Sequence, residues 1–167
     1  MKKDVIFTKN RVRLIKGIIM KKLVAILIFI ISLVSYGQIH EPVKWTTSVK
    51  KISDNESELI ATAKLDDEWY LYSQKIPKGG PIPTLFSFTG DKRYLKKGNT
   101  KEEKGHVVDD KVFDMRIKYF DKKATFKQRV RLKTQDKFTI KGTVEYMVCS
   151  GSNCLPPKEI DLSFNIN

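Results

Sequence analysis

From Gln38 onward the chain is written in short runs that alternate apolar and polar residues, broken by turn signals. Residues 43–49 (VKWTTSV) are rich in β-branched and aromatic side chains, the composition of a half-buried strand. Residues 58–65 put Leu59, Ala61, Ala63 and Leu65 on one face at a period of two. Asp54-Asn55-Glu56 and Asp66-Asp67-Glu68 are turn sequences, and 69–73 (WYLYS) follows as an aromatic strand. The Gly-Gly-Pro-Ile-Pro sequence at 79–83 forbids regular structure and 84–89 (TLFSFT) resumes the strand pattern. Residues 90–106 are charged and contain glycine, which predicts a loop. Residues 124–132 and 138–148 are the clearest strands, and 159–166 (EIDLSFNI) is the last. No window sustains a 3.6-residue apolar period and no segment repeats. The prediction is all-β, an antiparallel β-sandwich.

Parity in the penultimate strand bears on chemistry. Phe138, Ile140, Val144, Tyr146 and Val148 share the face that must be buried, while Thr139, Lys141, Thr143, Glu145 and Met147 share the other. Cys149 continues the second series. A strand regular to its end points that sulfur away from the core.

The N-terminus changes how charge and composition are read. Lys21-Lys22, the apolar run 23–34 and Ser35-Tyr36-Gly37 have the layout of a secretory signal peptide, with cleavage expected after Gly37. A retained membrane anchor is the alternative. Met20 before the two lysines has the character of a start, making 1–19 an upstream extension. Domain organisation is therefore 1–37 as leader and 38–167 as one folded domain. The net charge of +13 falls to +6 once residues 1–37 are set aside, and no compact basic motif points to nucleic acid.

Cys149 and Cys154 are the only cysteines, separated by Ser150, Gly151, Ser152 and Asn153. An even pair in an exported chain most simply closes on itself. One reading is a structural clip. A ring this short is worth only about 2 kcal/mol in the loop-entropy account, so an accessible redox centre is the other reading. A metal site lacks ligands, with only His40 and His106 to add. His106 is the one candidate for Cys/His nucleophilic chemistry. Trp69, Tyr70 and Tyr72 form either core or a binding stripe. Phe113, framed by Asp109, Asp110 and Asp114, is either a strand-start core residue or a loop tip covering another site.

Three stretches carry a family resemblance: Trp69 to Ser73 continuing through Gly79 to Thr84, Phe113-Asp114-Met115 leading into Lys118-Tyr119-Phe120, and Glu145 to Cys149 through Cys154-Leu155-Pro156-Pro157-Lys158. Here the chain resembles the N-terminal periplasmic domain of DsbD-type thiol:disulfide interchange proteins, in a stand-alone form of the kind found in Bacteroidetes-like bacteria. The resemblance implies an immunoglobulin-like fold, with Cys149 and Cys154 as a redox-active pair at a β-hairpin. It implies Cys154 as the attacking thiol, Cys149 as the resolving one, and a cap loop around Asp109, Asp110 and Phe113. Two departures stand out. The cysteine spacing is one residue shorter than in the enterobacterial form, and the membrane electron-transfer and thioredoxin-like domains are missing.

The expectation is a periplasmic or secreted thiol:disulfide exchange protein, of protein-disulfide reductase type, needing no organic cofactor and no metal. Its expected partners are a membrane-embedded thiol reductase and periplasmic thioredoxin-like or other thiol proteins. The alternative is a binding module clipped by a structural disulfide, and a third reading uses Trp69 and Tyr72 as a ligand-binding surface.

Overall fold

Alternation becomes strand wherever one face can be buried. The computed structural model describes residues 21–22 and 40–167. The expected leader, its cleavage point and the start at Met20 lie outside the described residues, apart from Lys21 and Lys22. In chain order the strands are β1 (Val43–Ser53), β2 (Glu56–Leu65), β3 (Tyr70–Tyr72), β4 (Leu85–Phe88), β5 (Tyr94–Glu102) and β6 (His106–Asp110). There follow β7 (Met115–Asp121), β8 (Lys123–Leu132), β9 (Phe138–Tyr146), β10 (Val148–Ser150), β11 (Asn153–Cys154) and β12 (Lys158–Ile166). All pairings are antiparallel, in sheets ordered β1-β2-β8-β5, β12-β9-β4 and β11-β10-β3-β7-β6.

The first sheet packs against the other two around one core, and the whole is an immunoglobulin-like β-sandwich. Leu59, Ala61, Ala63, Phe126 and Val130 enter from one layer, and Ile140, Val144, Tyr146 and Phe164 from the other. Aromatic rings bridge the layers: Trp45 meets Phe86 edge-on at 6.0 Å and Tyr146 at 5.4 Å. Such pairs contribute about 0.5–1.5 kcal/mol each beyond their burial. These core residues all lie within 41–167, which forms a compact unit with its own interior.

Two expectations are corrected. Residues 94–102, expected as loop, form β5, an edge strand held by its ladder to β8 with only Tyr94 buried. Its register shifts between Lys97 and Lys101, where Gly98 takes a φ of +65°. The buried Gln128 fills that irregularity, donating from Nε2 to the carbonyls of Lys97 and Gly98 and accepting from the Thr100 hydroxyl. Strand β6 was not expected, and β7 was anticipated only as a strand start at Phe113, because their apolar residues divide between two faces.

The penultimate strand is interrupted at Met147, where the chain leaves the β12-β9-β4 sheet and joins the one containing β3. The alternation survives the transfer. Tyr146 and Val148 belong to the main core, while Met147 and Cys149 belong to a second, smaller cluster. That transfer places the cysteines.

Candidate functional site

The site begins with a two-residue hairpin. Ser150 pairs with Asn153 and Cys149 with Cys154 across β10 and β11. Gly151, at the first turn position, has a φ of +57°, and Ser152 is not among the positive-φ residues. That is the pattern of a type II′ turn, which favours glycine first. The amide of Leu155 donates to the carbonyl of Val148 at 3.0 Å, so Cys149 and Cys154 face each other at a non-hydrogen-bonded position. Opposed side chains approach closest there. The sulfurs are joined, with the two Cα atoms 4.0 Å apart. Pro156 and Pro157 then stop the ladder before β12 starts at Lys158.

The pair is asymmetric. Cys149 is fully buried, whereas Cys154 is half-buried. Parity correctly placed Cys149 away from the main core, but exposure did not follow, because a second cluster encloses it. Its centre is Tyr72, Ile117 and Cys149, with Tyr70, Phe113 and Met115 packed against them. The expectation of an openly accessible pair holds only on the Cys154 side.

Strand β3 supplies the aromatic wall. Its alternation sends Leu71 into the main core and Tyr72 onto the disulfide. The Tyr72 hydroxyl donates to Cys149 Sγ at 3.2 Å, and the Tyr70 hydroxyl donates to the carbonyl of Gly151 at 2.9 Å. The two rings meet edge-on at 5.5 Å. Burial pushes the Tyr72 phenol far above its ordinary range, and the neighbouring Tyr70 and the Asp110 carboxylate push in the same direction. Tyr72 is therefore a donor at any physiological pH. Burial raises Tyr70 as well. The Thr84 hydroxyl donates to the Tyr72 carbonyl at 2.6 Å and fixes the strand from the opposite side. With Tyr72 only 1% exposed, the reading of Trp69 and Tyr72 as a ligand-binding surface fails.

The turn from β6 to β7 covers the cluster. Asp110 Oδ1 accepts the backbone amides of Val112 at 2.8 Å and Phe113 at 3.1 Å, closing an Asx-type turn. Phe113 is thereby turned inward, its ring edge-on to Tyr72 at 6.1 Å. Of the three expected cap residues, Phe113 and Asp110 come to the site; Asp109 is exposed, opposite Arg116 on β7. His106, on β6, pairs with Asp121 of β7 at 3.1 Å, and two strands lie between β6 and β10, so it is no partner for a thiol.

A second polar group braces the site and was missed in the sequence. The Glu102 carboxylate accepts the Ser73 hydroxyl at 2.6 Å, the Gln74 amide at 2.8 Å and the Lys118 ammonium at 2.9 Å. Burial opposes its ionisation, but the bonds from Ser73, Gln74 and Lys118 outweigh it and hold the carboxyl below its usual range. The bonds tie the end of β5 to β7 and to the segment leaving β3. Nothing in local sequence marks it, because its partners lie 16 to 29 residues away.

Residues 40–165 match the family model described as thiol:disulfide interchange protein DsbD, N-terminal. The chain belongs to the DsbD N-terminal domain family. The family thus joins the disulfide hairpin to thiol:disulfide interchange. No curated protein matches the chain. Among solved structures, the reduced DsbD N-terminal domain of Neisseria meningitidis is 15% identical, with a TM-score of 0.49 over 75% of this chain and 88% of that one. The N-terminal periplasmic domain of ScsB from Proteus mirabilis is 16% identical, with a TM-score of 0.49 over 78% of this chain and 49% of that one. A complex of the DsbD and PilB N-terminal domains from N. meningitidis gives 14% identity and a TM-score of 0.48, over 76% and 88%. The family assignment rests on the sequence match rather than on these scores.

Proposed function

We propose that this DsbD N-terminal domain works in the periplasm as a thiol:disulfide exchange protein, passing reducing equivalents through Cys149 and Cys154. The observation that carries the reading is the asymmetry of the pair, one sulfur sealed beneath Tyr72 and the other half-open at the hairpin. An approaching partner meets Cys154 first.

In the reduced protein the Cys154 thiolate attacks one sulfur of a partner disulfide. A mixed disulfide forms and the partner's second sulfur leaves as a thiolate. The Cys149 thiolate then attacks Cys154 Sγ, closing the internal disulfide and releasing the partner as a dithiol. Two electrons pass to the partner, and its two sulfurs take up protons. A membrane-embedded thiol reductase restores the dithiol by the reverse exchange, and thioredoxin-like or other periplasmic thiol proteins draw on it. The chemistry calls for two sulfurs, and for no organic cofactor or metal. Phe113, held by Asp110, acts as the cap over the pair.

Complete burial of Cys149 favours a second reading, a binding module whose bridge is inert. Trapping separates the two. In Cys149→Ser the nucleophile survives without its resolving partner, so oxidised glutathione or a thioredoxin-like disulfide should yield a persistent mixed disulfide, visible by mass. Cys154→Ser should trap far more slowly. Equal trapping by both variants, or by neither, rejects the assigned roles.

A further inference from the structure

The outer face of the β1-β2-β8-β5 sheet carries lysines in cross-strand register. Lys44 lies directly opposite Lys64, and Lys64 directly opposite Lys123, so three lysines form one cross-strand row. Four residues further along β8, Lys127 lies opposite Lys101. All five side chains are exposed, and none has an ion-pair partner among the described residues. Like charges directly opposite each other destabilise a sheet, so stability does not explain the row.

Neutralisation from the same face is limited. Glu56 and Glu58 are already paired with Arg129, and Glu56 also with Lys97. Lys101, Lys123 and Lys127 surround an open depression of about 390 Å³ that also includes Thr125. Glu102 and Glu103 line it too. The first is committed to Ser73, Gln74 and Lys118; the second accepts the Thr125 amide at 2.8 Å and keeps its charge, so three lysines face one carboxylate, unpaired among the described residues, around the depression. At the spacing of paired strands the five lysines cover an area roughly 14 Å by 13 Å. The outward positions of β1, β2 and β8 carry no aromatic residue, so the face lacks the stacking platform of a single-strand nucleic-acid site. It is a broad cationic face with short polar residues between its charges.

We infer that this face docks on an anionic phospholipid surface, the lysine rows meeting headgroup phosphates. The lysines spread in two dimensions across four strands rather than along one line, which matches a planar array of headgroups better than a single linear polyanion. The inference is independent of the thiol chemistry. It leaves the disulfide, in a different sheet, free for a protein partner.

The test is sedimentation of the 41–167 unit with vesicles of phosphatidylcholine containing 30% phosphatidylglycerol. The protein should bind these vesicles, ignore pure phosphatidylcholine, and be released as salt rises and screening shortens. Each lysine near a charged surface changes partition about fivefold, so K44Q/K64Q/K123Q should weaken binding on the order of a hundredfold. A control with the same charge change elsewhere, K92Q/K137Q/K141Q, should stay within a few-fold. Thermal melts of both variants confirm that they fold. Equal loss in the control, absence of vesicle binding by the wild type, or lysine-row-dependent binding of heparin with no vesicle binding would overturn the assignment.

Discussion

Replacing Phe113 with alanine tests whether the β6–β7 turn controls access to the disulfide. The phenyl ring is half-buried in the cluster around Cys149 and meets Tyr72 edge-on at 6.1 Å. Full burial of such a side chain is worth about 1.5–3 kcal/mol, so half-burial contributes roughly 1 kcal/mol. The edge-on contact adds about another 1 kcal/mol. The Asx turn built on Asp110 uses backbone amides and survives the substitution, so the loop keeps its shape but loses about 2 kcal/mol of its hold on the closed position. At 1.36 kcal/mol per factor of ten, the open fraction rises roughly thirtyfold. The assay is the rate at which glutathione reduces the oxidised protein, read by quenching and alkylating the thiols formed. Val130→Ala, a fully buried site in the main core, is the control. It costs stability of similar size without touching the cap, and its exchange rate should match wild type. A rate for Phe113→Ala within twofold of wild type refutes the cap. Equal acceleration by Val130→Ala would mean that exchange runs through global unfolding.

Other expectations follow from the same geometry. Because the Glu102 carboxyl is held below its usual range, it contributes stability above the unfolded carboxylate pKa of about 4.3 and loses it as pH falls through the lower folded value. Glu102→Gln should therefore cost roughly 2 kcal/mol near pH 7, where Lys118 loses its buried counter-charge, and progressively less toward pH 3, as read from urea midpoints. Gly151→Ala forces a side chain onto a φ of +57° and should cost about 1–2 kcal/mol in the oxidised protein, measured by the same unfolding series. In Gly142→Ala the new Cβ would collide with the Ser87 carbonyl oxygen, so β4 must shift off β9. A loss of about 1–3 kcal/mol is expected, and an unchanged melting temperature would contradict the close approach.

The sequence carried the fold wherever one face of a strand is buried against the main core. The alternation of Leu59, Ala61, Ala63 and Leu65 marks β2, and that of Phe138, Ile140, Val144 and Tyr146 marks β9, each within a few residues of its true ends. It failed for β5, whose strand character comes from backbone pairing with β8 and from Gln128 filling a bulge, with almost no buried side chains of its own. The site was legible as a cysteine pair, and the family match covers those residues. Its burial was not legible. Met147 and Cys149 point away from the main core as parity requires, but the second cluster is assembled from β3, β7 and a turn far off in sequence, and no local pattern announces it. The same holds for Tyr72, whose hydroxyl reaches a sulfur 77 residues away.

The central claim is that the Cys149–Cys154 bridge is a working redox couple, and its reduction potential tests this most directly. The 41–167 unit would be equilibrated in glutathione buffers of graded ratio and the free thiols counted by alkylation. The account predicts a potential of about −180 to −270 mV, the span of exchange proteins from protein disulfide isomerase to thioredoxin. A potential below about −300 mV, where structural disulfides lie, would contradict it and leave a clipped binding domain.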